Sequence, residues 1–350
     1  MQINTFVSDK IKVLSFFSIL LVLYIHSGFH TFELNGTIIN VYVQTAISGR
    51  IGRCAVPLFF MISGYLFFYK GMDGLESVFK KMKSRIRTLL VPYLCAAAYF
   101  FIFSYGVAII PGTSKFMNSP INHLFDLSLV NILKTIFIDA GNGNPLAFQL
   151  WFLKELMIIV LFAPIWYLLI KYLKYYWLPV VLIISLFEIP YFPFSALFWF
   201  ILGTSVKHID LETKYTRFGL ICLGLFILIC LLEFLFPTSY WKYFQKPIIL
   251  MGVFGIWSVY NFIVPPSFSL QRYSWLATAS SFTFFTYLYH EPTLNVFRKT
   301  IVFLLGKDEL GYLISYLTSP WIYMVFSIAF GLLLRNYVPR FYNIIVGGRS

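Results

Sequence analysis

His26 lies inside the apolar run Val13 to Phe29, which is long enough for a membrane helix and in which nothing obvious needs a polar partner. An imidazole at that depth is costly unless it is used, so ionisable groups there commonly mark a pathway or a reaction. The chemistry it could do is proton transfer, a neutral ring nitrogen removing the proton of an attacking hydroxyl. A histidine bonded to a neighbouring helix for packing alone is the weaker explanation. His30 follows one turn on, and His-x-x-x-His can bind zinc; Gly28 interrupts the pair and no third ligand follows, so no metal site is expected.

A second imidazole, His290, stands in Thr286-Tyr287-Leu288-Tyr289-His290-Glu291-Pro292. Two readings stay open for it, a second reactive group or a polar plug beside a proline kink. Arg85-Ile86-Arg87 precedes Pro92-Tyr93. By charge alone this is a positive-inside anchor touching anionic lipid, while guanidinium forks also suit a phosphate clamp. Glu155 and Glu188 fall in apolar runs, where each either orients a histidine or reaches the interface, and Lys154 or Lys134 can neutralise Glu155. Arg53 precedes the run Ala55 to Tyr65, where Pro57 suits the first turn of a helix and Ser63-Gly64 lets another helix approach closely.

These groups need a scaffold, and the composition names it. Of 350 residues, 59% are hydrophobic, 21% aromatic and only 12% charged, the signature of an integral membrane protein. Apolar runs suggest spans at 13–29, 55–69, 89–110, 151–170, 176–189, 194–206, 217–236, 247–264, 278–304 and 312–334. The expected fold is an all-α integral membrane protein, one membrane domain over residues 1–350 built as a bundle of about ten transmembrane helices. The run 278–304 is unusually long and contains Pro292, so a kinked or broken helix is expected there. The first run follows Lys10 and Lys12 as a secretory leader would, but no small-x-small site follows Phe29 and many spans come after it; a retained first span is expected.

The net charge of +13 is no nucleic-acid signal, because the basic residues gather in particular loops between apolar runs. With the N-terminus in the cytoplasm, the cytoplasmic segments hold most of the 27 Lys and Arg, among them Lys80, Lys81, Lys83, Arg85 and Arg87. Both termini are therefore read as cytoplasmic. At 1.5 Å rise per residue His26 then lies roughly 21 Å along its helix from Lys12, toward the outer leaflet. Residues 111–150 form the longest weakly apolar stretch, on the outer side, with turn signals at Pro111-Gly112 and Gly141-Asn142-Gly143-Asn144-Pro145, and are the candidate contact with something outside. Cys54, Cys95, Cys222 and Cys230 lie in or beside apolar segments without CxxC spacing and read as packing residues.

Taken in order, these segments resemble the acyltransferase-3 family of multi-span membrane acyltransferases. The matching parts are His26-Ser27 at the end of the first span; Arg53-Cys54-Ala55-Val56-Pro57 running through Phe59-Phe60-Met61-Ile62-Ser63-Gly64-Tyr65; Arg85-x-Arg87 before Pro92-Tyr93; Leu150-Trp151-Phe152-Leu153; and Tyr287-Leu288-Tyr289-His290-Glu291-Pro292. The resemblance implies transfer of an acyl group, often acetyl, from cytoplasmic acyl-coenzyme A to a hydroxyl of an envelope glycan or glycolipid, in the cytoplasmic membrane of a bacterium. His26 would be the catalytic histidine and His290 the second catalytic candidate, with Arg85 and Arg87 near the donor's phosphates. The family commonly carries an arginine where this chain has Ser15; Lys12, one turn away, is the electrostatic substitute, though not a guanidinium fork.

Supporting positions are Arg53, Ser63, Tyr65, Trp151, Glu155, Tyr289 and Glu291, of which Arg53, Tyr65 and Tyr289 are the candidate donors to an oxyanion. Acyl-coenzyme A, acetyl-coenzyme A foremost, is the expected co-substrate, with no permanently bound cofactor. Membrane lipids and the glycan are the expected partners, nucleic acid is not, and a homo-oligomer stays open. A rival reading is a transporter of a glycan or lipid-linked precursor in which the same histidines relay protons. A catalytically silent scaffold for envelope assembly is a third, and it leaves His26 unexplained.

Overall fold

A computed structural model describes residues 4–29, 37–69, 74–110, 128–138, 145–174, 176–186, 192–208, 215–236 and 239–348. Among these residues the chain is helical throughout, with no strand. The helices are α1 (Thr5–Ser27), α2 (Ile38–Ile47), α3 (Ala55–Phe68), α4 (Leu75–Ile109), α5 (Leu129–Phe137), α6 (Trp151–Leu161), α7 (Ala163–Leu173), α8 (Leu178–Leu186), α9 (Phe194–His208), α10 (Thr216–Leu235), α11 (Gln245–Ile263), α12 (Ser274–Ser281), α13 (Thr283–Tyr289), α14 (Thr293–Leu305), α15 (Glu309–Tyr337) and α16 (Pro339–Ile345). By length and composition five stretches can cross a membrane: Ile38–Phe68, Leu75–Gly106, Thr216–Leu235, Gln245–Ile263 and Glu309–Tyr337. A sixth forms if Phe148–Leu161 and Ala163–Leu173, bent by 62° at their junction, count as one. The protein is thus an all-helical, multi-pass membrane protein.

The long apolar run 278–304 is broken, as its proline suggests. It appears as the end of α12, then α13 and α14, with Pro292 as the N-cap of α14 because it has no N–H to continue the ladder. Residues 70–88, read from charge as a loop, are helical from Leu75 onward. From Leu75 the chain has no Gly or Pro until Pro92, which α4 carries within it, so Lys80 to Arg87 are helical residues. His30, Glu188, and residues 111–127 and 139–144 of the outer stretch lie outside the described residues.

The chain folds into two compact units that alternate along the sequence. The first takes Met1–Ile25, Val43–Met82 and Leu161–Ser281. In it α3 and α9 pack with their backbones touching: a Cβ on Gly64 would stand 1.8 Å from the Phe200 carbonyl oxygen, and one on Gly203 1.9 Å from that of Met61. Lipid tails are as apolar as leucine, so close van der Waals contact through small residues drives such pairing. The approach expected at Ser63-Gly64 is made by Gly64. Helices α10 and α11 pair similarly, with Gly219 against Ser258 and Gly255 against Leu223.

Lys10 and Glu233 of this unit are buried charges held by partners on other segments. Lys10, read from the sequence as a flanking charge, is fully buried; its Nζ donates to Asn261 Oδ1 at 2.9 Å and sits 3.8 Å over the Trp257 ring. Lys12, two residues on and so on another face, is exposed. Arg50 holds the buried Glu233 of α10 at 2.6 Å.

The second unit takes His26–Tyr42, Lys83–Val160 and Phe282–Ser350. Helix α15 is its longest member and packs against α13, α14 and α16. Its start is capped by Asp308, whose carboxylate accepts from Gly311 N at 2.7 Å, satisfying an end donor of the helix. Phe282, Phe285, Tyr342, Ile345 and Val346 form a buried cluster joining α13 to α16. After α16 the chain turns at Gly347, φ +67°, where a Cβ would meet the Thr88 carbonyl oxygen of α4 at 2.3 Å.

Candidate active site

The site is assembled in the second unit from the end of α1, a 3-10 turn at Phe148–Leu150, and the break between α13 and α14. His26 is in the last turn of α1, and the groups after it fasten that end. Ser27, fully buried, accepts from Ser319 Oγ of α15 at 3.2 Å. The Arg298 guanidinium of α14 donates to the Gly28 carbonyl and, at 2.8 Å, to Asn295 Oδ1, and lies 4.6 Å over the Phe29 ring. A helix C-terminus leaves carbonyls unsatisfied, and a guanidinium is a suitable partner for the carbonyl just beyond it.

His290 is the C-cap residue of α13, where the helix stops short of Pro292. Its ring is fully buried and its centroid lies 4.8 Å from that of His26, with the planes inclined at 54°. The sequence places these two imidazoles 264 positions apart, and the fold makes them neighbours. The His26 ring is half-buried and has Phe148 on another side at 5.4 Å. His290 Nδ1 lies 2.7 Å from the Tyr287 carbonyl oxygen. A carbonyl only accepts, so in the neutral ring Nδ1 carries the proton and Nε2 presents a bare lone pair.

The turn at Phe148–Leu150 is locked onto the same break. Tyr287 Oη donates to the Gln149 carbonyl at 2.9 Å, and Gln149 Nε2 donates to the Glu291 carbonyl at 3.3 Å. Trp151, half-buried, begins α6 directly after this turn, with Glu155 half-buried one turn further. Glu291 is buried, and Tyr289 donates its hydroxyl to the Ile345 carbonyl at 3.2 Å, toward α16.

Arg85 and Arg87 both lie on α4, Arg85 half-buried and Arg87 exposed. Residues two apart on a helix do not share a face, so the pair cannot grip one phosphate from a single side of the helix as a loop could. Arg53, Ser63, Tyr65 and Lys12 belong to the first unit. There Arg53 is exposed and donates to Gln245 Oε1 at 2.6 Å, Ser63 is half-buried, and Tyr65 is buried with its ring 5.1 Å from that of Tyr69.

Sequence reasoning missed Arg298, Ser319, Phe148 and Gln149. Arg298 gave a signal, since a cation inside the run 278–304 is as anomalous as His26. Gln149 gave little, being one polar residue ahead of Trp151.

Comparison with known proteins gives the family of the chain. The family model described as an acyltransferase domain matches residues 9–335. The chain is 22% identical over 328 residues, 88% of its own length and 83% of the relative's, to the succinoglycan biosynthesis protein ExoH of Rhizobium meliloti (strain 1021). No solved structure matches. With nearly all of its length inside that match, the chain is an acyltransferase and belongs to the acyltransferase-3 family.

Proposed function

We propose that this protein moves an acyl group, acetyl foremost, from cytoplasmic acyl-coenzyme A to a hydroxyl of an envelope glycan or glycolipid. The observation that carries the reading is the pairing of His26 with His290 at a broken helix, two imidazoles 4.8 Å apart in an apolar protein. The glycan acceptor is supported by the name of the relative, a protein of succinoglycan biosynthesis. The working topology has about ten crossings and both termini in the cytoplasm of a bacterial inner membrane.

In the reaction His26 takes the proton of the acceptor hydroxyl while its oxygen attacks the thioester carbonyl. The C–O bond forms, the C–S bond breaks, and the coenzyme thiolate leaves and takes up the proton that His26 holds. His290 works beside it, its orientation fixed by the Tyr287 carbonyl. The donor's phosphates are assigned to the Arg85 end of α4. Arg85 is the closer partner of the two arginines, because it is the one partly withdrawn from the surface.

Purified protein in nanodiscs should consume acetyl-coenzyme A faster when envelope glycan is added, and should leave an acetyl ester on the glycan by mass spectrometry. Movement of glycan across the membrane without thioester consumption would overturn the reading in favour of a transporter. A second expectation concerns the donor. Arg85→Ala should raise the KM for acyl-coenzyme A by about tenfold, the loss of one charge-assisted contact, and Arg87→Ala by clearly less. Equal effects, or a change in acceptor KM alone, would remove Arg85 from the donor site.

A further inference from the structure

Two buried atoms beside the histidine pair have no partner among the described residues: His290 Nε2 and Gln149 Oε1. Both side chains are essentially sealed, at 0% and 1% exposure. Their hydrogen-bonding sense is fixed by what the other end of each group does. Gln149 bonds the Glu291 carbonyl, an acceptor, so the bonded end of its amide is NH₂ and the free end is oxygen. His290 faces the Tyr287 carbonyl, another acceptor, so the free end of its neutral ring is an unprotonated nitrogen. Both free ends therefore accept and neither donates. Buried polar atoms left in this way cost free energy until something pairs with them.

Both belong to one hydrogen-bonded knot: Tyr287 ties the Gln149 backbone, Gln149 ties Glu291, and His290 lies between these two contacts in the chain. A thioester carbonyl or a developing oxyanion cannot satisfy such a pair, since each would bring a third acceptor. A polyol can, because every hydroxyl brings a proton. We infer that His290 and Gln149 form the acceptor-recognition element of the enzyme, holding two hydroxyls of a sugar ring while the half-buried His26 takes the proton of the hydroxyl that reacts. The inference rests on the glycan-acceptor reading above and deepens it: the acceptor must carry free hydroxyls next to the one acylated, and Gln149 is the residue that selects for them.

Binding can be read without turnover, which separates this inference from the acyltransferase reading. Saturation-transfer NMR on the full-length protein in nanodiscs, with no donor present, would compare methyl glucoside with its four monodeoxy analogues. The wild type should bind the parent about tenfold more tightly than at least one monodeoxy analogue, the effect of one hydrogen bond to a buried acceptor. Gln149→Met, similar in volume but without the acceptor, should bring parent and analogue within about twofold. Gln149→Glu in its protonated form keeps an O–H for the Glu291 carbonyl and a free oxygen, and should restore the preference. Size-exclusion profiles report whether each variant folds, and if Gln149→Met does not, the wild type against Gln149→Glu and the analogue series still decide. Equal binding of all five glycosides by the wild type, or a preference that survives in Gln149→Met, overturns the inference. Selective binding without any acyl-coenzyme A consumption would keep the hydroxyl site and sink the enzymatic use of it.

Discussion

His26→Ala is expected to lower the rate of acyl transfer by about a thousandfold at equal folded yield, within the usual span for removing a positioned general base. The drop should appear in kcat, with the KM for acyl-coenzyme A little changed, because His26 lies at the far end of α1 from the basic flank and acts on the acceptor hydroxyl. Single-turnover mixing of acyl-coenzyme A with acceptor measures it directly. His290→Phe should cost less in kcat and more in acceptor KM, since a phenyl ring fills the space beside His26 but offers no lone pair. The double variant should lose less than the product of the two single effects, as expected for neighbouring groups serving one step. A His26→Ala enzyme retaining wild-type kcat would end the general-base assignment.

The second large effect is on folding. Leucine at Gly64 or Gly203 should abolish folded protein, because the added Cβ would sit 1.8 or 1.9 Å from a carbonyl oxygen of the facing helix and no side chain can move aside to admit it. Separating α3 from α9 forfeits contact along the whole crossing, a loss of about 3 kcal/mol or more. Gly224→Leu is the internal control: a Cβ there meets nothing within 4 Å, and this variant should express normally. Detergent-stable monodisperse yield on a sizing column distinguishes the three. Normal yield from Gly203→Leu would mean that α3 and α9 do not touch as described.

The sequence by itself determined the class of the molecule, since an apolar share of 59% with charges at 12% departs from soluble composition in the direction of a membrane protein. It also singled out His26 and His290, because an imidazole in an apolar run is legible as an anomaly one residue at a time. The break at Pro292 was legible too, since proline acts on its own helix. What it could not determine were properties that depend on partners distant in the chain. Lys10 reads as a flanking charge, and only its contacts with Asn261 and Trp257 reveal a buried residue. Arg85-x-Arg87 reads as a basic anchor or a phosphate clamp, and only the helical path of α4 shows that the two side chains leave it on different faces. Gln149 reads as nothing, and only the Glu291 carbonyl, 142 positions away, fixes which end of its amide is free. Local sequence sets what a residue is and which helix it prefers; hydrogen-bond sense and proximity arise between segments, and so the tertiary structure alone decided them.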